Sequence, residues 1–225
     1  EYFVPSKQVE NRIEEALQAQ PGDLAILQSI ETYFPDDYDD LLEAMADAGM
    51  AGADDAQVIE AGNRQLASFL GNHRNDFAAA PSDALTAVLK SETSLIEALH
   101  FENPLACSNH VFGTVPPATE PSEEVKLLIG QAVATKVRAM AAGRTDQQMR
   151  LPPSSRDFSL LADAMIARGA SKAEAAIALQ GIESTVHDFD LNELCGTAIL
   201  MVQAIGDLDP FVRDQMIGAM LAPPR

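Results

Sequence analysis

Between Cys195 and Gly206 the chain reads CGTAILMVQAIG, its longest apolar segment. Apolar side chains recur here at intervals of three and four, at Leu194, Ala198, Val202 and Ile205. This spacing places side chains on one face of an α-helix. The segment is shorter than the roughly 18 uncharged apolar residues of a membrane-spanning helix. It therefore predicts a buried helix in the core of the fold.

The rest of the chain repeats this spacing in stretches opened by residues that favour a helix N-terminus. Side-chain oxygens of Ser and Asp accept hydrogen bonds from the first backbone amides of a helix. Helices are predicted to begin at Ser6, Asp23, Asp37, Asp54 or Asp55, Ser82, Ser122, Ser171, Asp190 and Asp209, and a further helix carries Phe158, Leu161 and Met165. Runs of β-branched residues are scarce. We therefore predict an all-α protein, an irregular bundle of about nine short-to-medium helices with no significant sheet.

The helical spacing lapses between His100 and Pro121, where the chain holds four prolines and one glycine. Pro and Gly interrupt helices, so this stretch is expected to be irregular. Its cysteine and aromatic residues favour an ordered, anchored segment. We predict a single all-α domain over residues 1–225. The alternative is two sub-halves, 1–100 and 122–225, joined by an ordered Pro-rich loop over 101–121.

The chain is strongly acidic, with 34 Asp and Glu against 15 Lys and Arg and a net charge of −19. Nucleic-acid binding requires clustered Lys and Arg that neutralise phosphates, so the charge argues against a nucleic-acid partner. It also disfavours an anionic membrane surface. No glycine-rich phosphate loop or dinucleotide-binding motif is present, and we expect no cofactor. Basic proteins and cations are the partners that this charge suits.

The two cysteines, Cys107 and Cys195, lie 88 positions apart and form no CxxC motif. Cys195 faces the core by the spacing of its helix, whereas Cys107 lies in the stretch that needs an anchor. We therefore favour a disulfide, with two reduced, buried thiols as the alternative. Disulfides persist in oxidising compartments, and the chain begins at Glu1 rather than Met, as a processed or trimmed chain would. Both features favour an exported protein, periplasmic or extracellular, over a cytoplasmic one.

A metal site is a weaker hypothesis for the same region. Four potential zinc ligands, His100, Glu102, Cys107 and His110, lie within eleven residues. Their spacing matches no zinc finger, zinc ribbon or HExxH helix. Separate capping or surface roles explain them more simply, and a metal would compete with the disulfide for Cys107.

Catalytic candidates are few. The chain has no GxSxG or SxxK motif that would indicate an activated serine. Two polar residues nevertheless occupy positions where the helical spacing predicts apolar ones, namely Glu92 and His73. A carboxylate buried at position 92 would have a raised pKa and could act as a general acid or base. The simpler interpretation is a structural role at an element's edge or in an ion pair.

These observations favour a non-enzymatic soluble helical protein, exported or tethered to a membrane, that acts through contacts with a protein partner. The first alternative is a small-ligand-binding protein or hydrolytic enzyme with a pocket between helices, to which Glu92, His73 or the loop from His100 to His110 contributes. The second alternative is a metal-binding domain that uses the loop from His100 to His110.

Overall fold

The computed structural model describes residues 21–113, 119–180 and 190–219, so the helix predicted at Ser6 lies outside the described residues. Within these ranges the chain forms eleven α-helices and no strand. In chain order they are α1 (Pro21–Tyr33), α2 (Pro35–Met50), α3 (Asp55–Asn72), α4 (Arg74–Ala78), α5 (Ser82–Glu102), α6 (Pro104–Phe112), α7 (Glu123–Thr145), α8 (Ser155–Ala167), α9 (Lys172–Gln180), α10 (Leu191–Asp207) and α11 (Pro210–Ala219). The all-α prediction is confirmed. Two short helices, α4 and α6, bring the count above the nine or so expected.

Several predicted helix starts are confirmed by local hydrogen bonds. Helices α1 and α2 instead begin at Pro21 and Pro35, two residues before the predicted Asp23 and Asp37, and neither α2 nor α5 has a side-chain cap. The Ser122 hydroxyl caps α7, as its position predicts. Ahead of α9, the hydroxyl of Ser171 accepts from the backbone N–H of Glu174, whose carboxylate accepts from the backbone N–H of Ser171. These reciprocal bonds satisfy two amides that a helix end leaves unpaired. At α10 the Asp190 carboxylate instead accepts from the backbone N–H of Asn192.

The prediction of an irregular loop over 101–121 is wrong in part, because residues 104–112 form α6. The Asn103 side chain caps this helix by accepting hydrogen bonds from the backbone N–H groups of Leu105 and Ala106. Pro104 occupies its first turn, where a missing N–H costs no hydrogen bond. Gly113 ends the helix at a φ of +65°, a conformation that favours glycine. The helix spans only nine residues, too few to show a clear apolar period.

Helix α5 packs against both α7 and α10, so these three helices form the centre of the molecule. Helices α1 and α4 pack on α7, with α2 and α3 outside them, whereas α6, α8, α9 and α11 pack on α10. At the contact of α1 with α7, a Cβ on Gly130 would collide with the backbone of Gly22. Two glycines therefore allow these helices to approach closely.

The segment around Cys195–Gly206 forms α10 and lies in the core, as its spacing predicts. The side chains of its apolar stripe are at most 3% exposed: Leu194, Ala198, Val202 and Ile205. No helix in the described ranges is both long enough and apolar enough to cross a bilayer.

Candidate functional site

Glu92 is buried where three helices meet. It lies on the apolar face of α5, and its side chain is only 4% exposed. His110 of α6 places Nε2 3.1 Å from Oε2, and Lys136 of α7 places Nζ 2.7 Å from Oε1. Among the described residues no donor meets Oε1 with good hydrogen-bond geometry, so the ammonium group of Lys136 holds it chiefly through charge. Glu92 therefore links α5, α6 and α7.

The surroundings of Glu92 act on its pKa in opposite directions. Burial has the largest effect and raises the pKa, because it disfavours the charged form. The hydrogen bond with His110 and the charge of Lys136 act together in the other direction and lower the pKa from 4.5 to about 2. The expectation of a raised pKa at Glu92 is therefore wrong. At neutral pH this carboxylate has no proton to donate, and it is a weak base.

Lys136 is a site residue that the sequence reasoning missed. It lies four residues after Ala132 and four before Met140, both of which belong to the apolar face of α7. The signal that identified Glu92, a charged residue on an apolar stripe, is therefore also present at Lys136. Two opposite charges on the apolar faces of two helices predict a buried ion pair between those helices.

His73, the second catalytic candidate, lies between two carboxylates. Its Nδ1 is 2.8 Å from Asp76 Oδ2, and its Nε2 is 3.2 Å from Asp37 Oδ2. The ring packs 4.5 Å from the ring of Phe34 and 4.9 Å from that of Phe69. Both ring nitrogens are thus directed at this chain's own carboxylates. The arrangement ties α2 to the junction of α3 and α4.

The four potential zinc ligands do not converge. His110 faces Glu92, and Glu102 accepts hydrogen bonds from Ser122 at the start of α7. His100 Nδ1 lies 3.2 Å from the sulfur of Cys195. Among the residues that the structure describes, no group of three or more His, Cys, Asp or Glu side chains is placed to hold a metal ion.

Cys107 and Cys195 lie at disulfide distance, with Cα atoms 5.6 Å apart. Native disulfides have Cα separations of about 4.4–6.8 Å. Both side chains are fully buried, and the pair joins α6 to the central helix α10. This geometry agrees with the pairing that we favoured from the sequence.

The segment between α7 and α8 presents apolar side chains from a firmly held backbone. The backbone N–H of Gln148 donates to Ala79 O at 2.8 Å. Arg150 donates through Nη1 to the carbonyls of Ala78 and Ala80. Gln215 of α11 donates through Nε2 to Leu151 O at 2.8 Å. The segment is therefore attached on both sides.

Three large apolar side chains lie exposed along this attachment. Met149 is 100% exposed and Leu151 is 75% exposed, on either side of the half-buried Arg150. Phe211, 61% exposed, lies one helical turn before Gln215, whose amide binds the carbonyl of Leu151. We name the surface formed by Met149, Leu151 and Phe211 the loop face. Nothing in the helical spacing predicted it, because the segment is irregular.

Neither Glu92 nor His73 offers an unoccupied catalytic group, and the loop face offers exposed apolar area. Comparison of the chain with models of protein families, with curated proteins and with solved structures finds no match to any of them.

Proposed function

We propose that this chain is a non-enzymatic soluble helical protein that works in an oxidising compartment, exported from the cytoplasm, by binding a protein partner through the loop face. The observation that carries the proposal is the exposure of Met149 and Leu151 on a backbone held by hydrogen bonds from both sides. Exposed apolar side chains that cluster in one place are typical of interaction surfaces.

The way the loop face is held favours binding. A loop that is already ordered loses little conformational entropy when a partner docks, so more of the contact energy appears as affinity. Arg150 supplies much of this order, because its guanidinium binds two backbone carbonyls and lies 3.4 Å from the buried carboxylate of Asp214. Methionine and aromatic side chains are also enriched at protein interfaces.

The acidic charge of the chain favours a basic partner. A net charge of −19 favours encounter with a basic protein, and the exposed apolar side chains of the loop face suit an apolar pocket on that protein. The oxidising compartment rests on the cysteine pair, since buried disulfides are rare in the reducing cytoplasm. The non-enzymatic assignment rests on Glu92 and His73, whose polar atoms are engaged by side chains of this chain.

The test places a photo-crosslinking amino acid at Met149 in cells that produce this protein. Glu43, an exposed residue on α2, is the matched control position. We expect a discrete crosslinked protein from position 149 and none from position 43, and the identified partner should have a basic, partly apolar surface. Identical products from both positions, or none from either, would refute the proposal.

The identified partner then allows a quantitative measurement. Leu151→Ser should weaken its binding about tenfold, because a central apolar contact typically contributes one to two kcal/mol. Glu43→Gln should leave the affinity unchanged. Equal affinities of wild type and Leu151→Ser would remove the loop face from the interface even if the partner is real.

A further inference from the structure

A second surface feature is an open groove of about 780 Å³ that runs along α5 between α10 and α11. Its volume is in the range of small-ligand sites. Leu89 and Val202 are both buried and form its apolar floor. None of the three residues of the loop face lines it, so the groove is a separate site.

The lining of the groove is less acidic than the chain as a whole. Three cations line it, Lys90, Arg168 and Arg213, and Asp207 is the single carboxylate in its lining. In the whole chain, Asp and Glu outnumber Lys and Arg by 34 to 15. Two further carboxylates contact residues of the lining, Asp214 at Arg213 and Glu97 at Gln203, so cations and carboxylates are equal in number at the groove. This balance leaves Lys90 as the unpaired cation among the described residues of the lining, which favours an anionic ligand at this place.

The first arginine of the groove is held in position. Arg168 Nη2 donates to Asp207 Oδ1 at 2.8 Å, and its Nη1 donates to Gln203 Oε1 at 3.1 Å. A guanidinium has five N–H donors, so these contacts and the Nε–Asp207 bond leave others unused. Arg168 is therefore ordered. Asp207 balances its charge, and its remaining N–H groups can donate to an oxyanion.

The other two cations lie further along the groove. Arg213 donates through Nη2 to Ser82 Oγ at 2.9 Å and to Asp214 Oδ1 at 3.1 Å, at the start of α5. Lys90 lies two turns further along the same helix and is exposed, and it takes part in none of the ion pairs found among the described residues. Two helical turns span about 11 Å. The cations are therefore distributed along the groove rather than gathered at one point.

We propose that this groove binds an elongated organic ligand that carries two or more carboxylates. The separated cations match separated negative charges, and guanidinium groups suit the planar geometry of carboxylates. The apolar floor of Leu89 and Val202 contacts the chain of carbon atoms between the charges. Carboxylates suit this chain better than phosphate monoesters. A carboxylate adds one negative charge to a chain of net charge −19, whereas a phosphate monoester adds nearly two.

Gly206 provides a variant that blocks the groove without disturbing the fold. It lies on α10 in the groove lining, and a Cβ there would meet only Leu89 Cδ2, at 3.8 Å. Gly206→Leu therefore projects a side chain into the groove. Leucine is also a better helix former than glycine, so the thermal midpoint should not fall.

The experiment measures binding to the full chain by isothermal titration calorimetry at low salt. The probes are suberate, a linear eight-carbon dicarboxylate, and a tetraglutamate peptide, with octanoate as the monocarboxylate control. Saturable binding of either dianion, tighter than that of octanoate, is expected and should weaken as salt increases. Binding of suberate alone identifies a small dicarboxylate as the ligand class, and binding of tetraglutamate alone identifies an acidic peptide segment.

The variants assign that binding to the groove. Gly206→Leu should weaken it at least tenfold and Lys90→Gln several-fold, at unchanged thermal midpoints. Lys172→Gln, an exposed cation on α9 outside the groove lining, is the matched control and should bind like wild type. The proposal is overturned if neither dianion binds by about 10 mM, the weak end of specific affinity. Equal weakening by Lys172→Gln would overturn it as well.

Discussion

Glu92 shows how much depends on a single buried charge. Its pKa is lowered to about 2 in the folded protein, against an ordinary value of 4.5. A carboxyl group whose pKa is lower in the folded than in the unfolded protein stabilises the fold at any pH above the unfolded pKa. This contribution is lost as the pH falls from the unfolded pKa to the folded pKa. At pH 7 the difference corresponds to a stabilisation on the order of 3 kcal/mol relative to the protonated form.

Replacement of Glu92 by Gln should therefore lower the free energy of unfolding at pH 7, since the substitution leaves the charge of Lys136 buried without a carboxylate. The difference in the free energy of unfolding between wild type and variant should become smaller as the pH falls from 4.5 toward 2. Urea unfolding at pH 7, 5 and 3 measures this. Glu97→Gln, an exposed Glu→Gln change on the same helix, should have little effect at any pH. A pH-independent difference would show that lost packing, rather than charge, causes the effect.

At the scale of an element, α6 illustrates how a nine-residue helix is kept in place. It is too short to be stable alone, so its stability comes from its contacts. The Cys107–Cys195 pair joins it to α10, and the contact of His110 with Glu92 joins it to α5. A disulfide across 88 positions should stabilise the fold by at most about 4–5 kcal/mol in the chain-entropy description.

Thiol titration of the denatured, unreduced protein should therefore detect no free thiol. A reductant should lower the thermal midpoint of the wild type and leave that of a Cys107→Ser/Cys195→Ser double variant unchanged. Because both cysteines are fully buried, reduction should be slow until the protein opens. Two free thiols in freshly purified, unreduced protein would contradict the disulfide and remove the main support for an oxidising compartment.

At the scale of the whole molecule, the described parts of the halves 1–100 and 122–225 pack against each other. Helix α7 of the second half packs on α1, α4 and α5 of the first half. We therefore expect one cooperative unfolding transition, in which the calorimetric enthalpy equals the van't Hoff enthalpy. A fragment of residues 1–100 should not fold, because it would expose the surface that α7 covers. Two separate transitions in differential scanning calorimetry would support two sub-halves instead.

Local pattern was sufficient to predict much of this fold. The helix starts at Ser122 and Ser171 follow from hydrogen bonds within a few residues. The burial of Val202 follows from the apolar spacing along α10. Glu92 also stood out, because a charge on an apolar stripe is visible in one helix alone. With only two cysteines, a single intramolecular pairing was possible.

The sequence by itself thus determined the all-α class and, to within two residues, most helix starts, because capping and apolar spacing act over about four residues. Only the tertiary structure decided that Lys136 and His110 meet Glu92 and lower its pKa. It also decided that Arg150 holds Met149 and Leu151 outward. These contacts join groups 18 to 72 positions apart, and their distances depend on how the helices pack. No local period encodes that packing, because it results from the fit of all the helices together.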